Sequence, residues 1–423
     1  MKEIIVAGVG SCGINLTGSY LSLMNDEHDL QKGKNFDFNN ELVVHFNESK
    51  SQTPISRFLF IDLDPITIDQ IYCHPYVNQL NPDNLLSGDS SSMNLYSNGF
   101  YEKSHCVIDK IMDSFQREIE KCDSLQAILF NHSTSGGTGS GLGILLMEKL
   151  KEVLGDYKII ANTIVPSIFE ENSQSFDVSA LSIYNSILTI PKMIEHDNNA
   201  LSKYYPPDYS SNKNLWGNPN KIASKTISAL TSGSRFSGLN QLNIRKIITN
   251  IVPSWCFTFF SSFYFEDFGS KPDFVNNTFQ EIMRNKNSLF TINEDYQTKV
   301  VTSASFFRGK GHFSSELEEL NTKEFHGKLF WVQHLVGHID KCSNQKVSQE
   351  VVHISQGAHL GHYIKKLREA FHSFYKRKAF VHWYYRTGLD TIEFIDADEK
   401  LENLEFKYLY TEAGIQPNYA TEE

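Results

Sequence analysis

The densest chemistry in the chain lies in residues 131–143, Asn-His-Ser-Thr-Ser-Gly-Gly-Thr-Gly-Ser-Gly-Leu-Gly. Glycines at 136, 137, 139 and 141 alternate there with the hydroxyls of Thr138 and Ser140, and Ser133 stands just before them. Glycine removes the Cβ that would hold a phosphate off the backbone, and serine and threonine add donors. The run Ala127–Phe130 before the loop reads as a buried strand, and Leu142, Leu146, Leu150 and Val153 follow at helical spacing. A loop between a strand and a helix N-terminus gathers free N–H groups and the positive end of the helix dipole at one place. The stretch therefore reads as a cradle for a nucleotide's phosphates. It is not a P-loop, since no Lys follows the last glycine.

A second glycine turn opens the chain. Ile4–Ala7 reads as a strand, Gly8-Val-Gly-Ser-Cys-Gly13 as a tight turn, and Leu16, Tyr20 and Leu23 as one face of a helix. Gly8, Gly10 and Gly13 match the dinucleotide fingerprint, but no acid ends a second strand about 20 residues on, where residues 32–52 are polar. The next good strand, Phe58–Asp64, ends in Asp62 and Asp64 before Pro65. Such acids could hold Mg²⁺ or touch a sugar, or cap the helix that starts at Pro65; capping suits Asp62 better than Asp64.

These turns need a scaffold, and strand and helix alternate through the first half: a helix over 101–121, the 127–130 strand, then Ile159–Val165. The pattern predicts an α/β fold with a doubly wound, mostly parallel nucleotide-binding sheet. The polar stretch 76–100 lies over the site or is solvated loop. Pro206 and Pro207 bar a helix before a long one that starts with Asn218 as cap and Pro219 at its first position. Trp216 and Asn220 flank that start. A ring and an amide suit a purine, although residue by residue core packing for Trp216 and surface capping for Asn220 are the simpler readings. Beyond Arg245, strands at 254–260, 299–306 and 329–332 with a helix near 273–284 predict a mixed α/β domain, followed by helices over 362–375 and 398–410. His353, His359 and His362 read as structural, having no acidic or Cys partner in register.

With 423 residues and 40% apolar content the chain can bury more than one core, while a net charge of −11 disfavours nucleic acid and anionic membrane surfaces. Six scattered cysteines without a CxxC pair predict reduced thiols. Neither a secretory leader nor a membrane span is expected, since Ile251–Phe265 is interrupted by Pro253 and several hydroxyl residues.

Ser135-Gly-Gly-Thr-Gly-Ser-Gly141 resembles the GGGTGSG signature of tubulins and their bacterial relative FtsZ, with Ser for the first glycine. Further stretches resemble tubulin in the same order along nearly the whole chain. They are Met1-Lys-Glu-Ile with Gly10–Gly13, Asp26-Glu-His28, Asp62–Pro65, Pro82-Asp-Asn84, Val165-Pro-Ser167, Tyr184-Asn185, Arg235-Phe236, Phe306–Gly309 and Arg377–Tyr384. The resemblance implies a GTP-binding domain over 1–198, a connector and core helix over 199–240, an intermediate domain over 241–360 and a C-terminal helical hairpin over 361–423. It implies GTP or GDP with Mg²⁺ as cofactors. Gly10, Ser11 and Cys12 would lie under the phosphates, Asp64 would stand near Mg²⁺, and Asn94 would touch the γ-phosphate region. Ser133, Gly136, Gly137, Thr138 and Gly139 would hold the β-phosphate, while Asn198 and Asn220 would read guanine beneath a stacked Trp216.

Hydrolysis in this family depends on an acid contributed by the next subunit, and here the corresponding loop reads Gln241-Leu-Asn-Ile-Arg-Lys246. Lys246 stands where α-tubulin has the catalytic Glu and β-tubulin has Lys, and Asn243 replaces an acid. Neither side chain orients water as a carboxylate does. The resemblance thus implies a β-like chain that does not trigger hydrolysis in its neighbour, with an α-type subunit as its partner. The loop Phe265–Pro272 is short for the family, an insertion follows Val165, and the Glu-rich tail is nearly absent, which disfavours motors that grip such tails. The expectation is a divergent, cytoplasmic, cytoskeletal tubulin, with basal bodies or cilia as candidate locations. Two alternatives are a non-polymerising tubulin-like protein holding GTP structurally and, resting on Gly8, Gly10 and Gly13 alone, a nicotinamide-dependent oxidoreductase.

Overall fold

The computed structural model describes residues 2–30, 41–48, 53–155, 158–168, 179–195, 199–203, 217–238, 241–252, 258–267, 300–309, 329–343, 349–357 and 359–412. In chain order the strands are β1 (Glu3–Val9), β2 (Phe46–Glu48), β3 (Pro54–Ser56), β4 (Phe58–Asp62), β5 (Leu85–Ser87), β6 (Leu125–Ser133), β7 (Lys158–Ile164) and β8 (Asn199–Lys203), then β9 (Phe259–Asp267), β10 (Val300–Gly309), β11 (Leu329–Ile339) and β12 (Gln349–Gly357). The helices are α1 (Gly10–Glu27), α2 (Pro65–Ile71), α3 (Ile108–Glu120), α4 (Gly143–Leu154), α5 (Ala180–Glu195), α6 (Gly217–Arg235), α7 (Ile244–Ile251), α8 (His359–Tyr375), α9 (Val381–Arg386) and α10 (Thr391–Glu412).

Strand β1 sets the plan, being apolar on both faces as a central parallel strand must be. Ile5, Ala7 and Val9 enter one core, with residues of α3, α4, α5, α8 and α10, while Ile4 and Val6 enter the other, with α1, α6 and α7. One sheet runs β11-β10-β12-β9-β8-β7-β6-β1-β4-β5. From β5 across to β9 every neighbouring pair is parallel, as the alternation of strand and helix predicts. Strand β12 runs antiparallel to both β9 and β10, which makes the far end mixed. The strands of the second half extend the first sheet through the parallel pairing of β8 with β9 (Leu201 opposite Phe260). The short, polar β8 gave no strand signal in the sequence.

Helix α6 lies in the second core and is lined with small and hydroxyl residues. Ser228, Thr231 and Ser232 are fully buried there. Their hydroxyls bond back to their own helix, Thr231 Oγ1 to Ile227 O at 3.3 Å and Ser232 Oγ to Ala229 O at 2.5 Å, so burial leaves these groups satisfied.

Several expected boundaries move. The helix expected over 101–121 is split into a π-helical turn at Asn98–Glu102, a 3₁₀ turn at Ser104–Cys106 and α3, because Gly99 packs its backbone against the 137–142 loop. Strand β9 starts where the expected 254–260 strand ends, and β11 runs on to Ile339. The last helix begins at Thr391 rather than 398, and α9 interrupts the connection before it. The helix near 273–284 lies outside the described residues, as do the loop at 268–272 and the tail at 418–423. His353 is hydrogen-bonded to Ser305 Oγ at 2.8 Å, within the sheet.

Candidate nucleotide-binding site

A cleft of about 780 Å³ opens at the carboxyl ends of β1, β4, β6 and β7. That is where open parallel sheets bind ligands, and the volume suits a small molecule the size of a nucleotide. Gly10, Ser11, Cys12, Asp64, Asn94, Ser133, Gly136, Gly137, Thr138, Gly139 and Asn220 all line it. Asn198 and Trp216 lie outside the described residues. Asn243 and Lys246 are elsewhere, at the start of α7.

The first glycine turn is built differently from the sequence reading. Strand β1 continues to Val9 and α1 begins at Gly10, so Ser11, Cys12 and Gly13 form the first turn of the helix and bring its N-terminal end to the cleft. Gly10 has φ +74°, and a Cβ on it would lie 3.0 Å from the Gly139 nitrogen. The two glycine stretches therefore touch, although they are far apart in the chain.

The 135–141 loop winds into a π-helical turn, Thr138–Leu142, that runs straight into α4. Its glycines serve a purpose that the sequence did not reveal. A Cβ on Gly137 would sit 2.5 Å from Leu95 N, and one on Gly139 would sit 2.7 Å from Ser133 O, so both are glycine because protein backbone crosses them. Only Gly136 of this loop faces open space within 4 Å. Substitution separates these roles: Gly137→Ala is expected to lower stability by about 1–3 kcal/mol through overpacking, and Gly136→Ala to leave it within about 0.5 kcal/mol. Melting of the two variants without nucleotide checks this, and equal losses would contradict it.

The acids also differ from expectation. Asp64 is the helix cap, accepting from Ile66 N at 3.0 Å with Pro65 at the first position of α2, the role that the sequence reading gave preferentially to Asp62. Asp62 accepts the Asp64 N–H at 3.3 Å. Burial raises its pKa, against the hydrogen bonds from Asp64, Thr138 and Thr67. Both carboxylates line the cleft, and no Lys or Arg does among the described residues. Burial pushes the Cys12 thiol up to about 12, so it stays protonated and is no nucleophile.

Beneath the loop, His132 is fully buried, with Nδ1 2.9 Å from Gly139 O and Nε2 3.0 Å from Thr163 Oγ1. A carbonyl can only accept, so Nδ1 carries the proton and Nε2 accepts from the threonine. Asn162 Nδ2 donates to Asn131 Oδ1 at 2.7 Å, and Asn131 Nδ2 to Thr17 Oγ1 at 2.8 Å, which ties β7, β6 and α1 together under the cleft. The sequence reading missed Ser92, Thr67 and Asn15 among the lining residues. Ser92 belongs to the 76–100 stretch and bonds Thr138 Oγ1 at 3.2 Å, so part of that stretch does cover the site.

Two glycine turns meeting at the carboxyl edge of a parallel sheet narrow the fold families to a few. A family model described as the Tubulin/FtsZ family, GTPase domain, matches residues 3–206. The tubulin beta chain of Candida albicans is 28% identical over 437 residues, covering 98% of this chain and 96% of that one. Residues 3–206 belong to the tubulin/FtsZ family. The tubulin beta chain of Saccharomyces cerevisiae is also 28% identical, over 100% of this chain and 96% of its own, and the tubulin beta-1 chain of Colletotrichum graminicola is 28% identical over 100% and 98%. The resemblance to tubulin thus runs the full length of the chain, at a distance. A tubulin-family GTPase domain implies GTP binding, and the Gly8, Gly10 and Gly13 turn belongs to that domain. No helix among the described residues is long and apolar enough to cross a membrane.

Proposed function

We propose that the chain is a GTP-binding cytoskeletal subunit that assembles head-to-tail with other tubulin subunits, an α-type subunit foremost, into or with microtubule-type polymers in the cytoplasm. One observation carries this reading. The cleft opens at the carboxyl end of β1, whereas the Asn243–Lys246 segment packs at the opposite end. There Lys2 Nζ donates to Asn243 Oδ1 at 2.9 Å, and Arg245 Nη2 donates to Leu125 O, at the start of β6, at 3.2 Å. Seven residues of strand separate the two, about 23 Å at 3.3 Å per residue. A surface and a cleft at opposite ends suit a heterologous contact that repeats, with one subunit's lower end closing the next one's cleft.

Gly10, Ser11 and Cys12 at the start of α1, with Ser133, Gly136, Gly137, Thr138 and Gly139, would hold the phosphates, Asn94 would face the γ-phosphate, and Asn220, with Asn198 and Trp216, would hold guanine. A cleft with two carboxylates and no cation among its described residues fits a polyanion only together with a metal ion, so Mg²⁺ near Asp64 belongs to the same reading. The ion would neutralise phosphate charge. Lys246 is exposed at the lower end and would add a cation to a neighbour's site, but as an ammonium it cannot orient water. The chain is therefore β-like and leaves its neighbour's GTP intact, and its own GTP turns over when an α-type subunit docks on its cleft. The functional divisions remain 1–198, 199–240, 241–360 and 361–423.

Nucleotide released from the purified protein should be GTP or GDP; a nicotinamide or adenine nucleotide, or none, would refute the binding reading. The protein should pellet only together with α-tubulin. If it stays in the supernatant with that partner present, it is a non-polymerising binder. Filament-stimulated GTP turnover by the chain alone would overturn the role given to Lys246.

A further inference from the structure

Asn185, on α5, has no exposed surface, and each of its hydrogen-bonding valences is used. Its Nδ2 donates to Asn94 O at 2.9 Å and to Ser135 O at 2.9 Å. Its Oδ1 accepts from Tyr96 N at 2.9 Å and from the Tyr384 hydroxyl of α9 at 2.7 Å. One amide thus joins the two loops that form one wall of the cleft to a helix of the C-terminal region.

The loop it holds is strained. Met93 and Asn94 are consecutive non-glycine residues in the left-handed region, at φ +54° and +58°. Each such residue is unfavourable and persists only where its surroundings over-determine it. Asn98 Nδ2 holds Ser92 O from one side at 3.2 Å, and Asn185 holds Asn94 O and Tyr96 N from the other. Further bonds tie the C-terminal helices to the same segment: Ser97 to Thr387, and the Tyr101 hydroxyl to Glu393 Oε2 at 2.5 Å. The Tyr384 hydroxyl has Leu181 O as a second acceptor at 3.3 Å, and the shorter bond to Asn185 takes the proton.

We infer that Asn185 is a positioning residue which fixes the Asn94 and Ser135 loops in the form that holds a nucleoside triphosphate, and that Tyr384 couples this clamp to α9. The inference rests on the proposed phosphate site and assigns that site's geometry to groups that do not touch the ligand. No other side chain of this size supplies two donors and two acceptors in a plane. Asp keeps the shape but loses both donors and turns a charge on two carbonyl oxygens. Leu leaves both carbonyls without the partner that they have here. Tyr384→Phe removes one bond of the set and keeps the ring, which packs edge-on against Tyr184 and Phe394.

The deciding measurement is dissociation of GTP and of GDP from the full chain, by chasing a fluorescent guanine nucleotide, alongside melting of the same samples. Wild type must first retain guanine nucleotide; if it does not, the proposed function fails and not this inference. Given retention, Asn185→Leu should release GTP at least tenfold faster and GDP by a smaller factor, because Asn94 faces the terminal phosphate on this reading. Tyr384→Phe should release GTP about threefold faster. A purely structural role would lower the melting temperature and leave the ratio of the two release rates unchanged, and that result would overturn the inference. Should Asn185→Leu not fold, Tyr384→Phe decides: an unchanged GTP release rate refutes the coupling.

Discussion

Replacing Glu27 with Gln is expected to cost about 3–5 kcal/mol, the loss typical when one partner of a buried ion pair is removed and the other charge stays behind. Glu27, on α1, lies 2.5 Å from Arg235 Nη1 of α6 and 3.0 Å from Arg308 Nη1 of β10, and Arg308 Nε reaches Glu350 of β12 at 3.1 Å. All four side chains are at most 2% exposed. The Ser228 hydroxyl donates to Glu27 Oε1 at 2.5 Å and accepts from Arg308 at 2.8 Å. Two acids and two guanidinium groups balance; Gln keeps the shape but leaves one positive charge uncompensated. Burial alone would raise the Glu27 pKa, yet Arg235, Arg308 and the serine bond outweigh it and hold the carboxyl down at about 2. Because α1 and α6 belong to the nucleotide half and β10 and β12 to the mixed end of the sheet, the loss should appear as one joint unfolding event in denaturant. A midpoint within error of wild type would show that the network carries no stability.

Acid should unfold the protein in two stages, the first beginning near pH 6.5. Burial keeps His28, His45 and His132 neutral, lowering His28 to about 3, His132 to about 4 and His45 well below its ordinary value. For His28 and His45 the nearby Arg235 adds to that effect. The folded pKa lies below the unfolded one, about 6.5, so as the pH falls the unfolded chain binds protons that the folded chain refuses. Stability is full above that value and drains towards the folded pKa values, at up to about 1.4 kcal/mol per pH unit for each histidine. From pH 6.5 to 5 the three together should remove roughly 4–5 kcal/mol, a large share of a typical total. Glu27 has the opposite relation to charge but the same direction: its contribution stands above the unfolded value of about 4.3 and is lost as the pH falls towards 2. Urea midpoints from pH 7.5 to 5 give the slope, and single His→Gln changes at 28, 45 and 132 should each flatten it by about a third. A flat profile across that range would mean that these rings take up protons in the native state.

What the sequence alone determined is whatever depends on near neighbours. The apolar run of β1, the Leu spacing of α4 and the turn residues between strand and helix are local, and so were the parallel sheet, the two glycine turns and the family. Position by position resemblance also named 11 of the 23 residues around the cleft, because a loop's composition reflects what its backbone must approach. The tertiary structure decided everything that depends on which distant segment lies opposite. Gly137 and Gly139 line the cleft, but why they must be glycine shows only when Leu95 and Ser133 are seen crossing them. Asp62 looks the better helix cap until Ile66 N is seen on Asp64. Asn185 is one of several polar residues in α5, and the resemblance marked Tyr184-Asn185 without a role for the amide, since its four partners come from residues 94, 96, 135 and 384. The burial of Glu27, Arg235 and Arg308 could not be read locally, because burial of a charge depends on its counter-charge, and that counter-charge is some 200 residues or more away in the chain.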